Sequence, residues 1–566
     1  MGMVVWICCR MLKISQLKLP VQHTKRDIEN KIIKDLRLRS VFQGEIPVYT
    51  YKILRRSIDA RRKPDIFYVY NISVDFKSEK LEKQILSRCK NDNVSVYVKN
   101  EYQLPEMGNT ELKHSPIIVG EGPAGLFSGL LLARKGYKPI IIERGSNVQK
   151  RVKIVEDFWT SGQINEKCNV QFGEGGAGTF SDGKLNTVVK DPSGKNQFVL
   201  DTFVEFGAKK EVSFDAKPHV GTDALLNVVE GIRKEIIKLG GRVLFDCLVT
   251  DLVINDNRIK GVIVDNYSDT DYILEEGYTV NRGVSEIASD IVILAVGHSA
   301  RDTFRMLKLH DVEMTQKNFA VGLRVQHPQK MIDDIQYGLN HSDVLPPADY
   351  KLTNKASNGK SVYSFCMCPG GFVVNASSFN GMTAINGMSY SERSAENANS
   401  ALIVNVDKTD FDSDDVFAGL EFQEKLEKKA YEIGKGKIPV QCYGDYKSDK
   451  ATISFDGVNP AFKGEFMFAN LRELFSDCIN DAIIESMSKF GYTMKGFDRD
   501  DAIFAGIESR TSSPVRIVRD ESFESNIKGL YPCGEGAGYA GGITSACIDG
   551  IKIAEAIIMK YKNIES

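Results

Sequence analysis

The sequence predicts a multidomain protein of the α/β and α+β classes, in which a Rossmann-like nucleotide-binding domain carries an inserted domain and follows a ferredoxin-like βαββαβ domain. Three observations predict this. A Gly-x-Gly-x-x-Gly turn lies between an apolar run and a helix-like run, and a second glycine-rich turn in the same setting comes near the end of the chain. The chain before the first turn has the βαββαβ order. A chain of 566 residues is too long for one core, which indicates several domains.

The first segment, residues 1–113, predicts a ferredoxin-like domain. Its expected elements, in order, are a strand at 12–19, a helix at 24–38, strands at 48–54 and 66–76, a helix at 78–88 and a strand at 94–98. That order is the ferredoxin-like pattern. The polar residues 99–115 then form a plausible linker with Pro105 and Gly108.

The charge along the chain is uneven. Residues 1–113 carry 22 Lys and Arg against 13 Asp and Glu, whereas the rest carries 51 against 62. Part of the positive surplus lies in a basic patch that we define as Arg55, Arg56, Arg61, Arg62 and Lys63. Such a patch could bind phosphates of RNA or of a dinucleotide reductant, or it could dock on the acidic remainder of the chain or stay solvated. We expect docking or solvation, so nucleic acid is not the expected partner.

The first glycine-rich turn predicts a nucleotide-binding unit. The apolar run 116–119 is typical of a buried parallel strand, and a second strand ends in Glu143. Gly120 permits the tight turn, Gly122 lets a pyrophosphate approach the backbone, and Gly125 lets the helix pack against the strand. The helix N-terminus then binds the phosphates. Glu143 lies 18 residues after Gly125, where an acid accepts hydrogen bonds from ribose hydroxyls. The alternative is a glycine-rich turn of an ordinary α/β protein.

The late turn complements the first one. A strand is expected at 529–533, a turn at Gly534 and Glu535, and a helix at 543–559. Glu535 can accept a ribityl hydroxyl, and the helix dipole favours the negative charge that reduction places on a flavin. Two such turns hold both ends of one long cofactor and predict FAD. A third glycine-rich segment, 172–184, fits close backbone approach to a flat ring or a phosphate, with a flexible solvated loop as the alternative.

With the strand expected at 291–297, these motifs resemble the glutathione-reductase-type FAD-binding fold. The chain more specifically resembles a bacterial family of poorly characterised FAD-dependent dehydrogenases with an extra N-terminal domain. Further stretches that resemble this family are Arg61 to Ile66, Cys368 to Val374, Asn386 to Tyr390, Asn397 to Ser400 and Ser509 to Arg516. The resemblance covers nearly the whole chain and implies the fold and FAD, but no substrate. In the wider fold the late turn more often carries Asp, and Glu535 is one methylene longer.

The motifs and the resemblance together imply a set of FAD contacts. In the resembled fold the strand around Val249 offers backbone groups to the adenine. The expected contacts are Gly120, Gly122, Pro123, Ala124, Gly125, Glu143, Arg144, Arg151, Gly175, Gly176, Val249, Gly297, Gly534, Glu535, Gly541, Gly542 and Ile543.

The return of the chain to place Glu535 implies an inserted domain. The expected domains are the ferredoxin-like domain at 1–113, the first part of the FAD-binding domain at 114–304, a substrate or cap domain at 305–500 and the C-terminal part of the FAD-binding domain at 501–566. A pocket is expected where the inserted domain covers the flavin.

Eleven scattered cysteines do not form a disulfide framework and indicate a reducing, cytoplasmic compartment. The only close pairs are Cys8-Cys9 and Cys366-x-Cys368, with no second pair or histidine cluster nearby, so no metal site is expected. The absence of Cys-x-x-Cys and Cys-x4-Cys argues against the redox-active disulfide of the disulfide reductases. Cys366 and Cys368 would share one face of a strand, either packed in the core or facing a substrate.

No membrane span or signal peptide is expected. The chain has no run of eighteen apolar residues. Residues 1–9 are apolar but lack a basic start and a cleavage site, so we interpret residues 1–10 as an over-long start before Met11.

The predicted activity is that of an FAD-dependent oxidoreductase that moves a hydride or an electron pair to or from an organic small-molecule substrate. Arg510 is the first catalytic candidate, since a guanidinium can clamp a substrate carboxylate bidentately. Arg324, Arg393 and His298 are weaker candidates, and a structural salt bridge is the alternative for each arginine. No second Gly-x-Gly-x-x-Gly unit is visible, so electrons would come from a transient NAD(P)H, a redox partner protein or the substrate itself. An RNA-modifying flavoenzyme and a non-catalytic flavin redox sensor stay open as alternatives.

Overall fold

The computed structural model describes residues 10–187, 193–275 and 278–564. The expected start at Met11 adjoins residues that lie outside this description. In chain order, the strands and α-helices are β1 (Arg10–Pro20), α1 (Lys25–Asp35), α2 (Leu38–Val41), β2 (Thr50–Arg62), β3 (Asp65–Asp75), α3 (Glu79–Cys89), β4 (Val94–Val98), β5 (Ile117–Val119), α4 (Pro123–Arg134), β6 (Ile140–Ile142), α5 (Val148–Ser161), α6 (Lys195–Glu205), α7 (Thr222–Lys238), β7 (Arg242–Leu244), β8 (Cys247–Asn255), β9 (Arg258–Asn266), β10 (Tyr272–Glu275), β11 (Tyr278–Val280), β12 (Gly283–Ala288) and β13 (Val292–Leu294). They continue with α8 (Arg301–Leu309), β14 (Met314–Gln316), β15 (Phe319–Pro328), α9 (Gln329–Tyr337), β16 (Thr353–Lys355), β17 (Ser361–Cys368), β18 (Phe372–Asn375), β19 (Ile385–Met388), β20 (Asn397–Val406), α10 (Lys408–Phe411), α11 (Ala418–Ile433), β21 (Ile438–Cys442), α12 (Tyr443–Lys447), β22 (Phe462–Lys463), β23 (Phe466–Phe468), α13 (Asp477–Thr493), β24 (Ile503–Glu508), β25 (Val515–Ile517), β26 (Leu530–Pro532) and α14 (Ile543–Lys560).

The N-terminal sheet has the order β2-β3-β1-β4 with antiparallel neighbours, which is the arrangement expected of βαββαβ. The helix α1 begins at a capping box, in which Thr24 and Asp27 satisfy each other's backbone N–H groups. Ile32 of α1 and Ile85 of α3 are fully buried in the same core as Ile14 and Ile72 of the sheet. Helices on one face of an antiparallel sheet thus give this segment its own core.

The nucleotide-binding sheet has five parallel strands in the order β26-β13-β5-β6-β7. Its outer strand β26 follows the inserted segment in the chain, so the predicted return of the chain is confirmed. The helix α4 is apolar on every face because α14 packs directly against it. Gly550 makes this close crossing possible, since a Cβ there would lie 2.2 Å from the carbonyl oxygen of Ala124.

The hairpin of β8 and β9 forms a three-stranded sheet with β12. Asp256 and Asn257 at its turn both have positive φ, +51° and +56°, which is what a two-residue hairpin turn requires.

The inserted segment builds a seven-stranded sheet in the order β16-β17-β20-β15-β24-β21-β23. The predicted boundary at residue 500 is wrong, because β24 begins at Ile503 and pairs with β15 and β21 within this sheet. A buried apolar strand such as β24 carries no local signal of which sheet it joins. The remaining domain boundaries stay predictions.

A β-bulge in β17 corrects a second expectation. Phe365 pairs with Ala401 and Cys368 with Asn399, so β17 carries one extra residue between these two pairs. Cys366 takes a positive φ of +43° there. Cys366 and Cys368 therefore do not follow the simple alternation that would put them on one face.

Candidate functional site

One cavity of about 1570 Å³ is enclosed by three parts of the fold. Its wall includes the turn after β5, the late glycine-rich turn before α14, the bulge of β17 and the strand β2 with Arg56 and Ile58. The volume exceeds the range of about 300–1,000 Å³ that is usual for a small-molecule pocket. The cavity therefore has room for a large cofactor and a second molecule.

The turn after β5 presents free backbone groups to this cavity. Gly120 has a φ of +98°, and a Cβ there would lie 2.6 Å from the carbonyl oxygen of Ala295. Gly122 precedes α4, which has Pro123 at its first position and no side-chain cap. A Cβ at Gly122 would meet no atom closer than the Cα of Gly176, at 4.0 Å, so the absent side chains leave a cradle between the two glycines. The positive end of α4 opens into that cradle, which suits a pyrophosphate.

Glu143 connects three segments at the bottom of the turn. Its carboxylate accepts hydrogen bonds from the backbone N–H groups of Glu121, Gly145 and Gly173, each at 2.9 Å. Glu143 also lines the cavity. A carboxylate has about four acceptor positions, so one is left for a ribose hydroxyl.

The glycine-rich segment 172–184 is an ordered part of the wall and not a solvated loop. The 3-10 helix Gly176–Phe180 lies in it, and Gly176 lines the cavity. Arg151 holds the segment from behind: its guanidinium is fully buried and donates to five backbone carbonyl groups, those of Asn169, Val170, Gly173, Glu174 and Gly176. The expectation that Arg151 contacts the cofactor directly is corrected by this geometry, because its donors are used inside the protein.

The late turn lies on the other side of the cavity. Gly534 donates its N–H to Asp549 at 2.7 Å with a φ of +77°. Glu535 lines the cavity, and burial raises its pKa to about 7. The helix α14 begins after Gly542 without a side-chain cap, so a second positive helix end opens into the same cavity.

The structure brings together most of the predicted cofactor contacts. Those that line the cavity are Gly120, Gly122, Pro123, Ala124, Glu143, Arg144, Gly176, Val249, Gly297, Glu535, Gly541, Gly542 and Ile543. Those that do not are Gly125, Arg151, Gly175 and Gly534. The three glycines in this second set shape the turns: a Cβ at Gly125, for example, would lie 2.0 Å from the carbonyl oxygen of Gly120.

Arg510 lines the cavity within a buried charge cluster. Its Nε and Nη2 donate to Glu427 at 2.9 and 2.8 Å, and its Nη1 donates to Ser299 and Ser378. Four of its five N–H donors are therefore used, which leaves one donor for a substrate in this arrangement. The salt-bridge alternative is the one found.

Glu427 accepts from Arg301 as well, at 2.8 Å. Burial opposes its ionisation, but the guanidinium groups of Arg301 and Arg510 outweigh burial and lower the pKa of Glu427 well below its usual range. Arg301 also lies 3.9 Å from Glu424, so the guanidinium of Arg510 is the positive group of this cluster at the cavity wall. His298 lies there too, and burial together with Arg510 and Arg301 lowers its pKa to about 4, so it is neutral at pH 7.

The other two arginine candidates also hold carboxylates. Arg324 is fully buried, donates to Glu508 at 2.9 and 3.1 Å and does not line the cavity, so it is no direct substrate ligand. Arg393 lines the cavity and pairs with Asp182 through two bonds of 3.1 and 2.6 Å.

Sequence analysis missed a polar group around Asp182. Lys184 donates to Asp182 at 2.7 Å, and both line the cavity with His219. Burial opposes ionisation of Asp182, but Lys184, Arg393 and His219 outweigh it and lower its pKa to about 2. The signal was the Asp-Gly-Lys at the end of the glycine-rich segment, whose polar side chains interrupt a run of small residues.

Within the described ranges, no group of three or more His, Cys, Asp or Glu side chains could hold a metal ion. In the same part of the chain, no helix has the length and apolar character needed to cross a membrane.

Comparison with known proteins finds two matching family models and a relative similar over nearly the whole chain. A family model described as "FAD-dependent protein, C-terminal domain-like" matches residues 318–511, and a "Domain of unknown function" matches residues 11–75. The first match confirms the predicted cofactor, FAD. An "Uncharacterized protein" of Clostridium beijerinckii is 43% identical over 555 residues, covering 97% of this chain and 99% of that protein.

More distantly similar proteins match a smaller part of this chain. The thiamine thiazole synthase of Methanococcus vannielii is 27% identical over 184 residues, which are 32% of this chain and 56% of that enzyme. Among solved structures, an FAD complex of glycerol-3-phosphate dehydrogenase from Bacillus halodurans is 12% identical, covers 80% of this chain and 65% of that chain, and has a TM-score of 0.34. A similarity this low carries no argument about activity.

Proposed function

The chain belongs to the same family as the uncharacterized protein of Clostridium beijerinckii, and from this premise we propose that it is an FAD-dependent oxidoreductase that moves a hydride or an electron pair between bound FAD and an organic substrate. One observation carries the proposal. Two uncapped helix N-termini, those of α4 and α14, open into a single cavity, and each has a carboxylate beside it that lines the same wall.

We assign the residues of this wall to the parts of FAD as the glutathione-reductase-type resemblance implies. The N-terminus of α4 with Gly122 would hold the pyrophosphate, and Glu143 the adenosine ribose. Val249 would face the adenine. Glu535 would accept a ribityl hydroxyl, and the N-terminus of α14 would face the pyrimidine edge of the flavin.

When bound, FAD supplies the two-electron chemistry. The chain supplies charge and exclusion of water. The positive end of α14 favours negative charge on the ring, and Arg510, which Glu427 holds in place, brings a guanidinium to the cavity wall. A substrate with a carboxylate or another anionic group is the class that this charge would attract, through the one N–H donor that Arg510 retains.

The basic patch is in part used within the protein. Arg56 forms two bonds to Asp215 at 2.7 and 2.9 Å, and Lys63 donates to the carbonyl oxygen of Ile335. Arg61 pairs with its neighbour Asp59. These contacts favour docking on the rest of the chain, so we propose a small-molecule substrate with a transient NAD(P)H or redox partner, rather than RNA.

The absorption spectrum of the purified protein tests the proposal, followed by anaerobic mixing with NADH, NADPH and a panel of organic acids. We expect one FAD per chain and bleaching of its visible band by at least one donor. Correctly folded protein that lacks a flavin band and does not take up added FAD would refute the function. A flavin band that no donor bleaches would leave FAD as a structural element or a redox sensor.

A further inference from the structure

The bulge of β17 places a pair of cysteines at the cavity. Cys366 lines the cavity wall, whereas Cys368 is fully buried directly behind it. The Sγ of Cys368 donates to the carbonyl oxygen of Cys366 at 3.3 Å. Both cysteines are free thiols in this structure.

Two cations hold this bulge from within the protein. Arg324 donates through Nη1 to the carbonyl oxygen of Cys366 at 3.1 Å, and the same Nη1 lies 3.9 Å from the Sγ of Cys368. Lys184 donates to the carbonyl oxygen of Met367, the residue between the two cysteines. Arg324 is itself fixed by its two bonds to Glu508. Positive charge next to a thiol favours the thiolate, which is the reactive form.

The two thiols differ in character. The hydrogen bond from Cys368 lowers the pKa of Cys366 to about 6, with Lys184 and Arg324 acting in the same direction against burial. The pKa of Cys366 is thus lowered and that of Cys368 is raised, so Cys366 is the more readily ionised of the two thiols. This is the division between an attacking thiol and a resolving thiol.

Cys366 shares the cavity with a residue assigned to the flavin. Glu535, which would contact the ribityl chain, lines the same cavity, and the charge of Cys366 acts on it. The cavity wall also includes Lys209, whose side chain is 66% exposed, so the cavity reaches solvent there. A small molecule entering there can approach Cys366 but not Cys368.

We propose that Cys366 and Cys368 form a reversible disulfide that relays an electron pair between FAD and a small thiol or disulfide substrate. This inference rests on the proposed function and names its substrate class.

Each step balances. The Cys366 thiolate and the Cys368 thiol would lose two electrons and one proton as the S–S bond forms, with bound FAD as the acceptor of both electrons and the proton. In the reverse direction, the disulfide would take up two electrons and one proton from the reduced cofactor, which breaks the S–S bond. Exchange with a substrate disulfide oxidises the pair to its own disulfide and releases two substrate thiols.

Mass spectrometry tests the disulfide directly. Trypsin cuts after Lys360 and Arg393 and leaves both cysteines, and no others, in the peptide 361–393. After mild oxidation with diamide and alkylation, we expect this peptide to be two hydrogens lighter than its reduced form and to carry no alkyl group. Cys366→Ser and Cys368→Ser should each leave one alkylated thiol. Cys478→Ser, at an exposed thiol that lies outside this peptide and does not line the cavity, is the matched control and should behave as the wild type. A wild-type peptide that carries two alkyl groups after oxidation would overturn the proposal.

Anaerobic titration with dithionite tests the link between the cysteine pair and FAD. The result that would overturn the relay differs from the result that would refute the proposed function. The oxidised wild type should consume one electron pair per chain more than either cysteine variant before its flavin band is fully bleached. Equal consumption by wild type and variants would overturn the relay while leaving the flavoprotein intact. A wild type without any flavin band would instead refute the proposed function, and the relay with it.

Discussion

At the scale of single residues, the site depends on which polar groups keep a free donor or acceptor. Glu143 uses three acceptor positions to hold the turns together, and Arg510 uses four of its five donors on Glu427, Ser299 and Ser378. Such residues fix the shape and the charge of the cavity wall and have few hydrogen-bonding positions left for a ligand. The backbone at Gly122, by contrast, has free space in front of it.

Gly122→Val should abolish stable FAD binding, because the new side chain fills the cradle and keeps the pyrophosphate from the N-terminus of α4. Losing two hydrogen bonds to a charged group costs about 3 kcal/mol, which is roughly a 100-fold weaker affinity. Fluorescence titration of the FAD-free protein measures this. Gly122→Ala adds only one methyl group at a φ of −76°, meets no protein atom within contact distance, and should weaken FAD binding less than the valine variant. Unchanged affinity in the valine variant would show that the site is misassigned.

Arg510→Ala should keep FAD but slow its reduction by an anionic substrate, by about 100-fold if Arg510 stabilises the transition state. Arg301→Lys is the matched control, because Arg301 shares Glu427 but does not line the cavity. Both variants should lose stability, since each weakens a buried ion pair. Only Arg510→Ala should change the reduction rate in stopped-flow measurements, and equal rates in all three proteins would exclude a role in catalysis.

Glu535 should make the stability of the FAD-free protein fall as the pH rises. Burial raises its pKa from 4.5 to about 7, so the folded state binds more protons than the unfolded state between these values. The contribution of Glu535 to the free energy of unfolding is therefore fully present below pH 4.5 and is lost by about pH 7. It amounts to at most about 3 kcal/mol and is reduced by the 26% exposure of the side chain. His298, with its lowered pKa, has the opposite slope between about pH 4 and 6.5. Urea unfolding at a series of pH values should show that Glu535→Gln removes the fall. A parallel pH dependence in wild type and variant would contradict the shift.

At the scale of secondary-structure elements, the strand β2 connects the N-terminal sheet to the rest of the chain. The N–H of Arg56 donates to the carbonyl oxygen of Phe214, and the N–H of Ala216 donates to the carbonyl oxygen of Arg56, each at 2.8 Å. The side chain of Arg56 adds the pair with Asp215. Because Arg56 and Ile58 also line the cavity, this docking forms part of the wall.

A double-mutant cycle of Arg56→Ala and Asp215→Ala should give a coupling of about 1 kcal/mol, since the pair is bidentate and about a quarter exposed. The pair Arg61 and Asp59 is the control and should couple weakly, because the Arg61 side chain is 82% exposed. Denaturant unfolding of the four proteins in each cycle measures both values. A coupling at Arg56 no larger than the control would argue against docking through this pair.

At the scale of the whole molecule, the cavity is built from turns that lie at opposite ends of the nucleotide-binding segment. The strands β5 and β26 are separated by β13 alone in the five-stranded sheet, so the turns that follow them meet at one edge. The seven-stranded sheet contributes β17, and the N-terminal sheet contributes β2. A ligand in the cavity therefore ties together segments from most of the chain.

FAD should protect both turns together from hydrogen exchange. At a free concentration 100 times its Kd, FAD adds about 2.7 kcal/mol, which is roughly 100-fold slower exchange wherever opening requires its release. We expect this slowing at residues 120–126 and 534–546 and not at 10–20 in the N-terminal sheet. Protection of only one turn would show that FAD does not span the cavity.

The sequence by itself determined the order of the elements and the chemistry of the turns. The ferredoxin-like order, the strand–turn–helix at Gly120 and the turn at Glu535 follow from local periodicity and from the freedom of glycine, which act within a few residues. Only the tertiary structure decided which charged groups keep an unused donor or acceptor, which sheet contains β24 and which of the two cysteines lines the cavity. Arg510 meets Glu427 across 83 residues of sequence, Arg151 meets carbonyl groups of another segment, and the bulge at Cys366 exists only in register with β20. The partners that satisfy a buried charge come from distant segments, and no local pattern records them.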